Sequence, residues 1–318
     1  MAKTLVTGGA GFIGSHLVEA LLAAGHEVVV VDNLSTGALD NLRSVRGAIR
    51  FVEGDVRDQA ALRPLLAGVS WVFHLAALAS VPRSVADPFS SHDHNATGTL
   101  AALLAARDAG VSRFVYSASS SAYGDTETLP KVETMPARPR SPYAIGKYVG
   151  ELYAETFHRL YGLETVSLRY FNIFGPRQTP DSPYAAVIPK FVTALLRGES
   201  PVVHGDGRQT RDFTFVANAV AANLRAAEAP ADRVAGRVFN VGCGERTSLL
   251  DLLDELASLT GSRVAPRHVE PRAGDVRDSQ ADIEAARRAL GYEPSVGLRD
   301  GLARTVEWYR ETGRAATR

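Results

Sequence analysis

Cysteine is almost absent from this sequence. Cys243 is the only one among 318 residues, which excludes an internal disulfide and any metal cluster built on cysteine, and suits a reducing, cytoplasmic setting. A charge bias is missing too: 35 Lys and Arg stand against 35 Asp and Glu, so there is no basic surplus of the kind nucleic-acid binders use to hold a phosphate backbone. No apolar stretch approaches the ~20 residues a membrane-crossing helix needs. Met1-Ala2-Lys3-Thr4 runs at once into an apolar strand, so neither a leader peptide nor an anchor is expected. Internal repeats and low-complexity tracts are absent as well. The expectation is a soluble chain, long enough for one large α/β domain with a smaller one appended.

What is present is an alternation. Short β-branched runs at Thr4-Leu5-Val6-Thr7, Val28-Val29-Val30-Val31, Ile49-Arg50-Phe51-Val52, Trp71-Val72-Phe73-His74, Phe114-Val115-Tyr116-Ser117 and Thr165-Val166-Ser167-Leu168 are separated by helical patterns such as 13–24 and 97–109. That rhythm predicts βαβ units and a doubly wound parallel sheet. Beyond Asn172 the prolines at 176, 180, 183, 189 and 201 break the pattern and loops lengthen. We read residues 1–172 as a nucleotide-binding domain and 173–318 as a substrate lobe, with strand-like segments within 211–242 that could return to the main sheet.

Gly8, Gly11 and Gly14 stand three apart, directly after a strand and at the start of a helix. Without a Cβ the backbone can turn tightly and approach a pyrophosphate, which then rests on the positive end of the helix. The competing reading is an ordinary strand-to-helix turn. It loses ground to Asp32, which ends the second strand about 20 residues on, where a carboxylate accepts from an adenosine ribose and repels a 2′-phosphate. NAD is therefore expected over NADP. Asp55, after the third strand, can reach an adenine amino group or simply form a turn. Leu75, Ala76 and Ala77 follow His74 with the small side chains that suit backbone passing a dinucleotide; His74 itself reads as a packed strand-end residue.

Tyr143 and Lys147 lie one helical turn apart, so they share a face. A free phenol titrates near ~10, and working as a base at neutral pH takes ~4 kcal/mol of help, which a neighbouring ammonium and the cation of an oxidised nicotinamide can supply. Alone, the spacing equally describes a core Tyr beside a solvated Lys.

Taken in order, the three glycines, Asp32-Asn33-Leu34-Ser35-Thr36-Gly37, the run Ser117-Ala118-Ser119-Ser120-Ser121-Ala122-Tyr123-Gly124, the Tyr143/Lys147 pair, Arg169-Tyr170-Phe171-Asn172, Arg211-Asp212 and Arg272-Ala273-Gly274-Asp275 resemble the extended short-chain dehydrogenase/reductases. More narrowly the chain resembles the UDP-hexose 4-epimerases, nearly end to end. The resemblance implies a Rossmann fold, tightly held NAD and a homodimer built on helices near 95–109 and 143–161. It implies that Tyr143 removes the sugar O4 proton, that Ser119 hydrogen-bonds O4, and that Lys147 holds the nicotinamide ribose and lowers the phenol pKa. Further cofactor contacts are implied at Phe12, Ile13, Asn33, Val56 and Asn95. On the nucleotide-sugar side it places Asn172, Arg211 and Arg272 on the diphosphate, Val187 on uracil and His204 beside the base.

Ser279, four residues past Asp275, stands where hexose-only members carry a bulky Tyr, so the resemblance implies room for a 2-acetamido group. Ala79 and the Arg177-to-Tyr184 segment point the same way. UDP-GlcNAc/UDP-GalNAc interconversion is favoured, with UDP-Glc/UDP-Gal also accommodated. A UDP-glucuronate epimerase or decarboxylase is the enzymatic alternative, with Arg83 or Arg177 taking the carboxylate. A 4,6-dehydratase lacks its acid at Ser119-Ser120-Ser121, and a non-catalytic NAD-binding module would not need Ser119, Tyr143 and Lys147 together. No metal site is expected.

Overall fold

The computed structural model describes residues 1–180, 185–271 and 276–313. Its centre follows from apolar residues that alternate between two buried faces. In Lys3–Thr7 (β1) Val6 packs to one side and Leu5 to the other; in Glu27–Asp32 (β2) Val28 and Val30 join Val6, while Val29 and Val31 join Leu5. A strand apolar on both faces needs a layer over each, the condition of a parallel α/β sheet. With Arg50–Glu53 (β3), Trp71–His74 (β4), Arg113–Ser119 (β5), Glu164–Tyr170 (β6) and Arg237–Val241 (β7) these strands form a seven-stranded sheet of order β7-β6-β5-β4-β1-β2-β3. Every pair is parallel, so the sheet is the doubly wound one expected from the βαβ rhythm. The order reverses between β1 and β4, and the crevice at their carboxyl ends is where such sheets bind ligands.

The longer helices are Phe12–Ala23 (α1), Gly98–Asp108 (α2), Pro142–Tyr161 (α3), Val187–Arg197 (α4), Val216–Glu228 (α5), Leu249–Thr260 (α6) and Leu298–Glu311 (α7). Helices α1 and α5 cover the Val6 face, and α2 and α3 the Leu5 face. Helices α4, α6 and α7 pack on one another in the lobe. No helix among the described residues is long and apolar enough to cross a membrane.

Of the two late segments with strand character, 238–241 enters the main sheet within β7, beside β6. The other, 211–216, does not: Thr210–Arg211 pairs antiparallel with Thr247–Ser248, Thr214–Phe215 pairs with Ile173–Phe174, and Val216 already begins α5. The cause lies at Asp212, whose buried carboxylate accepts the backbone N–H groups of Cys243 (2.8 Å), Gly244 (2.9 Å) and Ala281 (3.1 Å) and so diverts the chain away from any long ladder. One apolar core runs from Val6 and Leu168 through Phe191 and Leu252 to Val306, joining the lobe to the sheet without a break.

Candidate active site

Backbone proximity makes the first wall of the site. Gly8 follows β1 with φ +69°, and a Cβ there would lie 2.7 Å from the Ala76 nitrogen; a Cβ on Gly14 would lie 2.2 Å from the Gly8 carbonyl oxygen. Neither position tolerates a side chain. Helix α1 begins at Phe12 with no side-chain cap, which leaves its first N–H groups open to a ligand. A cavity of about 580 Å³ spreads over this helix end and is lined by Gly8, Gly11, Phe12, Ile13, Gly14, Asp32, Asn33, Val56, Leu75, Ala76 and Ala77, with Ser117, Tyr143, Lys147 and Tyr170 at its far side.

Asp32 serves the loop and the cavity together. Its carboxylate accepts from Ala10 N (2.9 Å) and Leu34 N (2.8 Å); burial raises its pKa while both N–H groups oppose that rise. Carboxylate lone pairs remain for a ribose. Asp55 stands differently: its flanking residues Gly54 and Val56 line the cavity, whereas its own carboxylate is taken by Arg57 (2.7 and 2.9 Å) and Asn33 (3.0 Å), and the Arg57 guanidinium holds it well below the usual carboxylate range. Asn95 lies behind the cavity floor, fully buried, accepting from Leu78 N at 2.9 Å and donating to Leu78 O at 3.2 Å.

Helix α3 brings Tyr143 and Lys147 to the cavity. Ser141 caps it by accepting from Ala144 N (3.2 Å), Pro142 opens its first turn and Gly162 ends it in the left-handed region. Gly150 lets the helix close on β5, since a Cβ there would lie 2.3 Å from the Tyr116 hydroxyl oxygen. Lys147 is buried with its ammonium 4.7 Å from the centre of the Tyr116 ring and no carboxylate beside it among the described residues; burial pushes its pKa down to about 7. Burial raises the Tyr143 phenol, and the Ser119 hydroxyl works against that rise. Within the serine run, Ser117 instead donates to the Tyr170 hydroxyl (3.1 Å), and Ser121 shares a 2.8 Å hydrogen bond with Ser119. A glycine cradle, an uncapped helix end, a carboxylate at the end of β2 and an uncompensated buried ammonium together fit a dinucleotide.

A second cavity of about 230 Å³ adjoins the first, with Gln178, Ala185 and Ala186 lining both. Asn172, Val187, His204 and Arg211 meet around it. Arg211 Nη1 donates to the carbonyls of Thr210 (2.9 Å) and Arg277 (3.0 Å), and His204 Nδ1 lies 3.1 Å from Glu270 O. Arg272 lies outside the described residues. Ser279 is buried and donates its N–H to Thr210 O at 3.1 Å, one residue from Arg211, without lining either cavity. Sequence reasoning missed Lys190 and Gln209. Lys190 is a cation set among the buried apolar residues of α4, a signal available in the sequence. Gln209 donates to His204 O (2.7 Å), which leaves its buried Oε1 without a partner, and nothing local in the sequence marks it. Among the described lining residues of both cavities Asp32 is the one carboxylate, and Lys190 and Arg211 line the end away from it.

Residues 4–242 match the NAD dependent epimerase/dehydratase family. The chain is 44% identical over 313 residues to UDP-glucose 4-epimerase of Mycolicibacterium smegmatis, covering 97% of this chain and 98% of that one. Two solved structures superpose with a TM-score of 0.93 and cover 98% of this chain and 99% of theirs: UDP-glucose 4-epimerase of Thermotoga maritima with UDP-glucose, at 42% identity, and UDP-N-acetylglucosamine 4-epimerase of Methanobrevibacter ruminantium with UDP-N-acetylmuramic acid, at 39%.

Proposed function

Since the chain belongs to the NAD dependent epimerase/dehydratase family, we propose that it interconverts UDP-sugars at C4 through a 4-keto intermediate, with NAD as resident cofactor. The observation that carries this reading is the continuity of the two cavities: Tyr143, Lys147 and the nearby Ser119 stand at one end, and Lys190 and Arg211, with no described carboxylate, at the other. A nucleoside diphosphate sugar laid along that path puts its phosphates on the cations and its sugar against the phenol. Asn172 would share the diphosphate, Val187 and His204 would flank the base, and Arg272 would add a second guanidinium.

The chemistry a bound NAD supplies is reversible hydride exchange at the sugar C4. Tyr143 takes the O4 proton as C4 is oxidised and returns it after the ketose has presented its other face, so the net change is inversion. Ser119 donates to O4 and holds it against the phenol. Lys147 favours the phenolate by its charge, and its buried position keeps that charge unscreened. Gly8, Gly11 and Gly14, with Phe12 and Ile13, cradle the pyrophosphate; Asp32 and Asn33 hold the adenosine ribose, Val56 the adenine edge, and Leu75, Ala76 and Ala77 the floor. Asp55 and Asn95 act from behind those contacts. Asp32 favours NAD over its 2′-phosphorylated form.

Acetamido sugars are the favoured substrates, with plain hexoses accepted, because Ala79, Ser80 and Ala185 line the cavity with small side chains and Ser279 adds no bulk beside Arg211. The uronate alternative calls for a cation at C6: Arg177 is already engaged by Glu19 at 2.7 Å, whereas Arg83 lines the larger cavity and keeps that reading as the runner-up. The apolar residues of α2 are buried or half-buried on the sheet, so of the two helices implied for a homodimer α3 is the better suited, its exposed Ile145 and Leu152 joined by Val85 and Phe89 of the 81–92 segment. The lone cysteine suits a cytoplasmic enzyme. Incubation with UDP-GlcNAc, UDP-Glc and UDP-GlcA in turn, followed by chromatographic separation of epimers, tests the proposal: C4 epimers of the neutral sugars without added cofactor are expected, and a dehydrated or decarboxylated product would overturn it.

A further inference from the structure

Behind the cavity floor, β1, β4, β5 and α2 converge on His74, a fully buried imidazole with no part in the chemistry above. Its Nδ1 lies 2.8 Å from Thr7 Oγ1 and its Nε2 lies 3.1 Å from Thr99 Oγ1. The ring stacks on Tyr116 at 5.9 Å and 21°, and Tyr116 in turn donates to Lys147 O at 3.0 Å while its face meets the Lys147 ammonium.

Counting protons settles which nitrogen carries hydrogen. Thr99 is positioned to donate its hydroxyl proton to Asn95 O at 2.7 Å, so the bond with His74 is completed when Nε2–H donates to Thr99 Oγ1. Nδ1 is then an acceptor, and Thr7 donates to it. Thr7 Oγ1 meanwhile accepts from Ala76 N at 3.3 Å on one of its two lone pairs, and its own proton has Nδ1 as its one acceptor among the described residues. The opposite tautomer fails on both sides: Nδ1–H would leave the Thr7 proton without an acceptor among the described residues, and Nε2 would draw the Thr99 proton away from Asn95 O. An imidazolium fails at Thr7 for the same reason and adds a second cation near Lys147.

The line of donation therefore has one direction, from Ala76 N–H to Thr7, to His74, to Thr99, to Asn95 O. Each end touches the floor of the cofactor cavity. Ala76 lines that cavity and packs against Gly8, and Asn95 grips Leu78 by both its N–H and its carbonyl. We propose that His74 is a positioning residue, locked as the neutral Nε2–H tautomer, that joins the glycine loop to the 75–78 floor and adds no second charge behind Lys147. The floor's role rests on the epimerase reading; the tautomer does not.

Nitrogen-15 NMR of the holoenzyme with labelled histidine, assigned by comparison with His74→Asn, tests the lock. The titratable groups facing this ring are Tyr116 from β5 and Lys147 from α3. A neutral ring protonated on Nε2, unmoved from about pH 8 down to about pH 5 although an ordinary imidazole would charge over that range, is expected. An Nδ1–H ring, or ordinary titration, overturns the proposal. Thr7→Val removes the hydroxyl at constant bulk and should lower kcat about tenfold, the worth of a buried hydrogen bond, with KM for the UDP-sugar within about twofold and faster loss of NAD. Thr7→Ser restores the hydroxyl and should recover activity to within about threefold of the parent. A Val variant with parental kcat and NAD retention, or a Ser variant as impaired as Val, would sink the positioning role. If the parent epimerised no nucleotide sugar, the epimerase reading would fall, and the NMR and NAD-retention comparisons would still decide His74.

Discussion

Asp32 in the nucleotide half and Asp212 in the substrate half are both buried carboxylates that accept backbone N–H groups, yet they serve their regions in different ways. Asp32 bonds Ala10 and Leu34, residues of the turns beside it, and still faces the cavity. Asp212 is wholly enclosed and gathers Cys243, Gly244 and Ala281 from segments distant in sequence; burial pushes its pKa up to about 6 despite those three donors. In the first region one group both builds the loop and lines the cavity. In the second the tasks are divided: Asp212 builds, and its neighbour Arg211 lines the smaller cavity.

The largest effect should come from breaking the chemistry while sparing both frameworks. Tyr143→Phe is expected to lower kcat about 10³-fold, within the range for a lost general base, with little change in KM. Near-parental turnover would remove the phenol from the mechanism. Arg211→Ala should do the reverse, raising KM for the UDP-sugar about 10- to 100-fold as a charge-assisted contact is lost, while kcat changes less. Steady-state kinetics on the two variants separates the ends of the site, and a kcat defect in both would erase the distinction.

The frameworks can be set against each other directly. Asp212→Asn turns one acceptor oxygen into a donor facing backbone N–H groups and should destabilise the protein by about 1–3 kcal/mol, read as a lower melting temperature. Asp32→Asn should cost less stability, because two backbone N–H groups depend on it and not three, but should narrow the preference for NAD over NADP in a cofactor titration. If Asp32→Asn proves the more destabilising, the division between building and binding is wrong.

This difference also explains what was legible beforehand. The parallel sheet, the glycine loop and the paired Tyr143 and Lys147 depend on periodicity and short spacings, which a sequence displays. The expected return of 211–216 to the main sheet failed, leaving only short strands, because Asp212 finds its partners up to 69 residues away. Asp55, open from its place after a strand between an adenine contact and a turn former, has its carboxylate engaged by Arg57 two residues on, which spacing alone does not show. Gln209 reaches the smaller cavity only because short strands bring it there, and no pattern announces that meeting; Lys190 is marked by its apolar neighbours on α4, but its destination is not. Asn95 was placed at the cofactor by resemblance, whereas its side chain acts through Leu78.

Ser279 tests the substrate half more finely. It sits beside Thr210 without lining a cavity, so the room it leaves should matter only when something large grows there. Ser279→Tyr is expected to lower kcat/KM for UDP-GlcNAc about tenfold more than for UDP-Glc, on the scale by which a pocket discriminates one substituent. Equal losses on both sugars would show that the residue gates nothing.

The smallest effect is electrostatic and belongs to the nucleotide half. Lys147 is pushed by burial from 10.5 to about 7, so between those values the unfolded chain binds a proton that the cofactor-free fold does not, and stability must rise with pH across that window. His74, pushed from 6.5 to about 3, adds a rise of the same sign that is complete by about pH 6.5, so the two can be told apart by where they act. Tyr143, raised above 10.0, works in the opposite sense only at higher pH. Comparing melting temperatures of the stripped protein and its Lys147→Met variant from about pH 7 to about pH 9 isolates the lysine: the parent should gain on the variant as pH rises. A constant difference would mean that Lys147 keeps its full charge without cofactor, and that the ammonium is better solvated than its burial beneath Tyr116 implies.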